Sequence, residues 1–261
     1  MVEEGHLDDV DAVYGFHVWP TLPSGYVATS KQYIMAGSLQ FSIKIIGKGG
    51  HAAMPHLTND PIVATASVVQ TLQTLVSRET SPIQSAVVSV TRIHGGEAYN
   101  VIPDEVEIGG TIRSFDDRHV DLIKLRMMEM LTGISMSHGV SFSLDFMEDA
   151  HPYYPATVND PDRATFAMDV AGELFGPHKV QDVTQEPSMA GEDFGFMTKK
   201  APGAFVWLGI RNETAGSTYG LHTAKFTLDE QVLHRGAALH AALVLKHLDR
   251  VDSPDDPRNE L

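Results

Sequence analysis

Leu39-Gln40-Phe41-Ser42-Ile43-Lys44-Ile45-Ile46 runs without a break into Gly47-Lys48-Gly49-Gly50-His51-Ala52-Ala53-Met54-Pro55-His56. In the first eight residues apolar and polar side chains alternate, which is the pattern of a strand with one buried face. The ten that follow set one imidazole, His51, among residues with almost no side chain. Two glycines before it allow φ values other residues avoid, and two alanines after it leave room for an approaching group. A histidine held this way at the end of a rigid element suits catalysis or ligand contact. It equally suits a tight turn with an incidental surface histidine.

Outward from this stretch, the middle third reads as one block. Asp60-Pro61 opens a helix, Asp as N-cap and Pro at the first helical position. Ile62, Val63, Ala66, Val69, Leu72, Leu75 and Val76 are expected to form its packed face. Strands are predicted over 86–93 and 105–114. An amphipathic helix carrying Val120, Ile123, Met127, Leu131 and Ile134 follows, then a strand with Val140, Phe142, Leu144 and Phe146 on one side. The order β-α-β-β-α-β is that of a split-βαβ, ferredoxin-like layer with one sheet face free. It spans residues 38–150. The flanks, 1–37 and 151–250, mix strands and helices as an α/β domain would, so the block reads as an insertion into a domain whose two pieces surround it. In the flanks, strands are expected up to His17, over 25–29, 180–185 and 204–209. Helices are expected near 160–175, 191–197 and 229–248.

Composition narrows the function. The net charge of −15, from 19 basic and 34 acidic residues, argues against nucleic acid and anionic membranes as partners. There is no cysteine, hence no thiol nucleophile and no cysteine–metal site, whereas thirteen histidines invite a search for metal chemistry. The start, Met1 to Asp9, reads as the tail of an acidic helix ending at Gly5. The end, residues 251–261, reads as a disordered acidic tail. Its last four residues, Arg258-Asn259-Glu260-Leu261, resemble a relaxed retrieval signal of the endoplasmic reticulum, leaving the cytoplasm and that lumen as the two expected locations.

Several side chains could carry chemistry. Gly15-Phe16-His17 and Gly220-Leu221-His222 each set a histidine where a strand edge or loop would project it, as a metal site or a structural role requires. Glu3-Glu4 is read as a solvated helix face. Arg113 alternates with Ile112, placing it off the open face of the sheet, where it is either a carboxylate clamp or an ordinary surface arginine. Asn100, in Ala98–Pro103, contacts ligand or shapes an Asx turn. The acids of Met189–Phe194 stand at an expected helix start, where they favour the helix dipole.

Taken in order, Val13–Pro20, Gly47–Pro55, Val76–Glu79, Asn100–Asp104, Gly109–Phe115, Gly191–Phe194, Gly220–His222 and Gly236–His240 resemble the M20 family of metallopeptidases and amidohydrolases. The likeness is to its subgroup of plant auxin-conjugate hydrolases and bacterial hippurate or N-acyl amino acid hydrolases. It implies that 38–150 is a lid and dimerisation domain and that the flanks belong to a zinc-peptidase-like catalytic domain. It implies that His17 and His222 are ligands in a site for two divalent ions, Mn or Zn. It further implies that His51 reaches across a homodimer to polarise the scissile carbonyl, and that Asn100 and Arg113 hold the free carboxylate of an N-acyl amino acid.

The earlier half of the family's catalytic domain is not matched. Several metal ligands, the general base and several sheet strands are expected to be missing with it, and Glu3-Glu4 lies too close to His17 to be the family's acidic pair. The expectation is therefore a fragment of a metal-dependent amidohydrolase, without activity as it stands. The alternative is a non-catalytic dimerisation or ligand-binding protein derived from that family.

Overall fold

The structure, a computed structural model, describes residues 1–251; the expected tail beyond, with Arg258–Leu261, lies outside the described residues. In chain order the elements are β1 (Val13–Pro23), β2 (Val27–Thr29), β3 (Tyr33–Met35), β4 (Gly37–Ile46), β5 (Gly50–His51), α1 (Pro61–Thr74) and β6 (Ala86–His94). Then come β7 (Val101–Ile102), β8 (Glu105–Ser114), α2 (Asp117–His138), β9 (Ser141–Asp145), β10 (Thr157–Val158) and α3 (Pro161–Phe175). The last are β11 (Val180–Asp182), α4 (Phe194–Lys200), β12 (Gly203–Arg211) and α5 (Leu233–Val251). The chain divides into two compact units. The first holds 1–34, 157–187 and the chain from 194 onward; the second holds 35–156 and 188–193.

The second unit is built on an antiparallel sheet in the order β6-β8-β4-β9. Leu39, Phe41, Ile43 and Ile45 of β4 point to one side with Val106, Ile108 and Ile112 of β8. There they meet Val68, Leu72, Val120, Ile123, Met127 and Leu131 of the two helices in one core. Gly110 lies in the middle of β8 because no side chain fits: a Cβ there would sit 2.0 Å from the Ser89 carbonyl oxygen. Asp60 caps α1 as expected, its carboxylate accepting from the Ile62 and Val63 N–H groups. The packed face of α1 differs from expectation. Pro61, Ala64, Thr65, Val68 and Leu72 are buried, while Ile62 and Val63 are 42% and 53% exposed. Small side chains at 64 and 65 bring the helix close to the sheet, so the stripe runs through Thr65 rather than through the bulkier pair beside it.

The first unit holds a mixed sheet, β1-β12-β2-β11. β1 runs parallel to β12, β12 antiparallel to β2, and β2 parallel to β11. α3 and α5 pack on it through Ala164, Phe166, Val170, Leu239 and Leu243 against Val27, Ala204, Val206 and Leu208. Buried Asn159 ties this sheet together. Its amide donates to Thr29 Oγ1, the Ser30 carbonyl and the Phe205 carbonyl, and its oxygen accepts from the Phe205 N–H at 2.7 Å. The expected acidic helix at the start is a run of turns instead, with Gly5 at φ +77° and only Leu7 buried among residues 1–9. Among the described residues no helix is long and apolar enough to cross a membrane.

Candidate active site

In the second unit, the loop carrying His51 is held by backbone approach. β5 pairs with β7, His51 opposite Val101, and the Ala52 N–H donates to the Asn100 carbonyl at 3.0 Å. Asp104 ties the other end: its carboxylate accepts from the Gly49 N–H and its carbonyl from the Gly47 N–H, both at 2.8 Å. The glycines serve proximity rather than unusual φ. A Cβ on Gly49 would lie 2.4 Å from the Ile102 carbonyl oxygen and one on Gly47 2.2 Å from that of Asn59, while none of Gly47, Gly49 and Gly50 has positive φ. The loops of His51 and Asn100 are therefore one piece of structure, and both residues are exposed.

The His51 ring has a defined proton. The Ala53 N–H donates to Nδ1 at 3.1 Å, so in the neutral ring Nδ1 carries the lone pair and Nε2 the hydrogen. An exposed imidazole that presents an N–H is a hydrogen-bond donor for a carbonyl or an oxyanion.

Arg113 stands on β8 between Ser38 of β4 and Val87 of β6. It lies on the face opposite the helices, as its alternation with Ile112 predicts, but that face is not open at this point. Segment 188–193 returns over it, anchored where the Ala36 N–H donates to the carbonyls of Ser188 and Ala190. A Cβ on Gly191 would lie 2.7 Å from Arg113 Nη1 and 2.6 Å from Ser38 Cβ, so only glycine lets the backbone come so near. Arg113 is half-buried and burial pushes its pKa down, yet a guanidinium stays charged near neutrality. No carboxylate among the described residues pairs with it. A partly desolvated, unpaired cation is costly unless an anion meets it.

In the first unit, His17 lies on β1, which is an edge of its sheet. Its Nδ1 stands 2.7 Å from the Val18 carbonyl; because a carbonyl only accepts, Nδ1 donates and the lone pair of the neutral ring falls on Nε2. Metal-ligating histidines are commonly oriented by such a backbone bond. Trp19 and Phe205 flank the ring edge-on at 5.9 and 6.3 Å. Gly15 makes room for this wall, since a Cβ there would lie 2.8 Å from the rings of both Phe194 and Phe205. His222 follows Gly220 in a turn, exposed, at φ +57°, a conformation non-glycine residues seldom adopt and one that clusters at functional sites.

Divalent metal fits His17 as a single ligand, through the tautomer its backbone bond selects. It does not find a complete donor set: among the described residues no three His, Cys, Asp or Glu side chains are grouped to hold an ion. Glu3 and Glu4 are exposed in the opening turns, with Glu4 3.5 Å from His6. The acids before α4 precede rather than begin it, and the Asp193 N–H is met by Glu192 itself.

Sequence reasoning missed three residues that build the second unit's site: Asp104, which holds the His51 loop, and Ser38 and Gly191, which face Arg113. The alternation of β4 put Ser38 on the right face, but only its register opposite Arg113 gives it a role.

Comparison with known proteins agrees with the resemblance. The model of peptidase family M20/M25/M40 matches residues 1–246. An IAA-amino acid hydrolase ILR1-like protein of Arabidopsis thaliana is 39% identical over 248 residues, 95% of this chain and 56% of that protein. A thermostable carboxypeptidase of Saccharolobus solfataricus is 39% identical over 246 residues, 94% of this chain and 61% of that protein. The crystal structure of a dinuclear metal-binding M20 peptidase from Bacillus subtilis superposes with a TM-score of 0.73 at 32% identity, covering 95% of this chain and 60% of that one. The chain thus spans less than two thirds of the length of the relatives it matches. It belongs to peptidase family M20/M25/M40, whose hydrolases act on amide bonds.

Proposed function

We propose that this chain is the substrate-holding portion of a metal-dependent amidohydrolase that releases a free amino acid from its N-acyl conjugate, auxin conjugates being one candidate class. The observation that carries the reading is Arg113, a half-buried guanidinium without an acidic partner, approached by the Gly191 backbone. The names of the two relatives point the same way. An IAA-amino acid hydrolase and a carboxypeptidase both cut an amide whose nitrogen belongs to an amino acid with a free carboxylate.

In this reading Arg113 takes the carboxylate in a charge-assisted, two-toothed bond, and Asn100 adds an amide donor. His51 Nε2–H donates to the scissile carbonyl and more strongly to the oxyanion that develops from it. The exposed position of His51 at the end of β5 suits a donor reaching into the site of a second copy, across a homodimer formed by the ferredoxin-like block acting as lid. His17 and His222 would be ligands for divalent ions, Mn or Zn. Bound there, such ions supply Lewis acidity that activates water near neutral pH. The remaining ligands and the general base would come from the part of the family's length that this chain does not span, so the chain as it stands is expected to hydrolyse nothing measurable.

The experiment compares this chain with a protein extended by the family's missing portion, assayed on N-acyl amino acids with and without chelator. Activity confined to the extended protein and abolished by chelator is expected. In that protein Arg113→Met should raise KM roughly 10- to 100-fold, the worth of a lost charged hydrogen bond. His51→Ala should lower kcat about 100-fold with little change in KM, as losing one oxyanion donor does. Chelator-resistant hydrolysis by the 261-residue chain itself would overturn the metal mechanism. A chain that binds N-acyl amino acids, while the extended protein binds no metal and turns none over, would instead be the non-catalytic ligand-binding protein.

A further inference from the structure

A small cavity adjoins Arg113 on the same face of the second unit's sheet. Ser38 is the link. On one side its backbone pairs with Arg113; on the other it pairs with Tyr154, Ser38 N–H to the Tyr154 carbonyl at 2.8 Å and the reverse bond at 3.0 Å. The chain after β9 therefore swings away from β4 and comes back, and the swing encloses about 130 Å3 lined by Ser38, Gln40, His151, Pro152 and Tyr154. Ser38 and Gln40, two apart on β4, present their side chains on the outer face with Arg113 one strand away, a separation of about 5 Å.

Three features define what would fit. The lining offers a hydroxyl, an amide, an imidazole and a phenol, and no carboxylate. The nearest cation across the ladder is Arg113. The volume is somewhat below the roughly 150 Å3 that accommodates a benzene ring, which admits a short side chain and turns away an indole. When a carboxylate is held at Arg113, the side chain on the same α-carbon falls within one strand spacing of this cavity.

We propose that the cavity is the side-chain subsite for the released amino acid and takes a second carboxylate, that of an aspartate or glutamate residue. Gln40 and His151 are its specificity-determining residues, donating hydrogen bonds to that carboxylate. The proposal rests on the hydrolase reading above, because it takes the α-carboxylate to be at Arg113.

Calorimetric titration of this chain with N-acetyl-L-glutamate, N-acetyl-L-glutamine and N-acetyl-L-alanine tests it. The glutamate compound should bind about tenfold tighter than the other two, the difference two added hydrogen bonds to a charge can supply. His151→Ala combined with Gln40→Ala should bring the glutamate-to-alanine ratio to about one; both side chains are exposed, so the fold tolerates their loss. Arg113→Met should weaken all three compounds. A wild-type ratio near one, equal binding of glutamine and glutamate compounds, or a ratio that survives the double substitution overturns the subsite while leaving the clamp standing. No binding of any compound, or binding indifferent to Arg113→Met, overturns the clamp and the subsite with it.

Discussion

The second unit draws its whole sheet from one continuous stretch of chain, whereas the first closes its sheet by pairing β1 with β12 across nearly the length of the protein. The burial patterns differ accordingly. β4 alternates strictly, with odd-numbered residues from 37 to 45 buried and the others not, so its face and partners are declared locally. β12 is buried at eight consecutive positions, so nothing along it says which side meets α3 and which meets another layer. β1 ends the sheet with eleven residues and no strand on its far side among the described residues. A strand edge of that length is a pairing template. The second unit carries the substrate-holding groups on a frame it completes itself; the first carries two metal-ligand candidates on a frame with an open edge.

The sharpest way to break this comparison is Gly110→Val. The new side chain would meet the Ser89 carbonyl oxygen and the Phe41 ring within normal contact distance, and neither backbone nor a packed ring can yield. A loss of about 4 kcal/mol or more is expected, at the upper end for one substitution. Far-UV circular dichroism in a denaturant titration measures it. Both tryptophans of the chain, Trp19 and Trp207, lie in the first unit, stacked at 3.9 Å with planes 1° apart. Their near-UV exciton signal should persist in this variant; if it vanishes with the second unit's sheet, the two units do not fold separately. Asn159→Ala is the reciprocal test and should cost about 3 kcal/mol. It deletes four buried hydrogen bonds and strands the Phe205 N–H. There the tryptophan signal should melt first.

Legibility in the sequence followed the same division. The strand predicted over 105–114 is β8 residue for residue, and the cap at Asp60 stands where its chemistry put it. The packed face of α1 was misjudged because hydrophobicity favours Ile62 and Val63, while close packing favours Ala64 and Thr65. The opening turns were misjudged because acidic residues suggest a helix, yet too few apolar side chains at helical spacing are present to anchor one. The site was half legible. Alternation along β8 put Arg113 on the correct face, but segment 188–193 covers it from some eighty residues away through irregular backbone bonds that no periodicity announces. That His51 and Asn100 share one loop assembly was not readable from spacing, because the pairing of β5 and β7 is only two residues long.

The smallest effect concerns protons. His119, at the start of α2, is buried, with Thr80 Oγ1 3.3 Å from one ring nitrogen and Ser114 Oγ 3.5 Å from the other. Loss of water pushes its pKa below the ordinary imidazole value of about 6.5, and the Asp116 carboxylate only partly opposes this. Glu79 and Arg126 line the small cavity beside it, but they are bonded to each other at 2.7 Å. The folded second unit therefore holds His119 neutral where the unfolded chain would already bind a proton. Linkage then fixes the sign: the unfolded state takes up more protons as pH falls below about 6.5, so stability declines from there until the folded pKa is reached. His119→Gln keeps polar groups near Thr80 and Ser114 and cannot titrate. Between pH 7 and 5 its denaturation midpoint by far-UV circular dichroism should fall less than that of the unsubstituted chain, while the tryptophan signal of the first unit melts alike in both. A wild-type midpoint no more pH-sensitive than the variant's would mean that the cavity lined by Leu75, Thr80 and Arg126 admits enough water to solvate the charged ring.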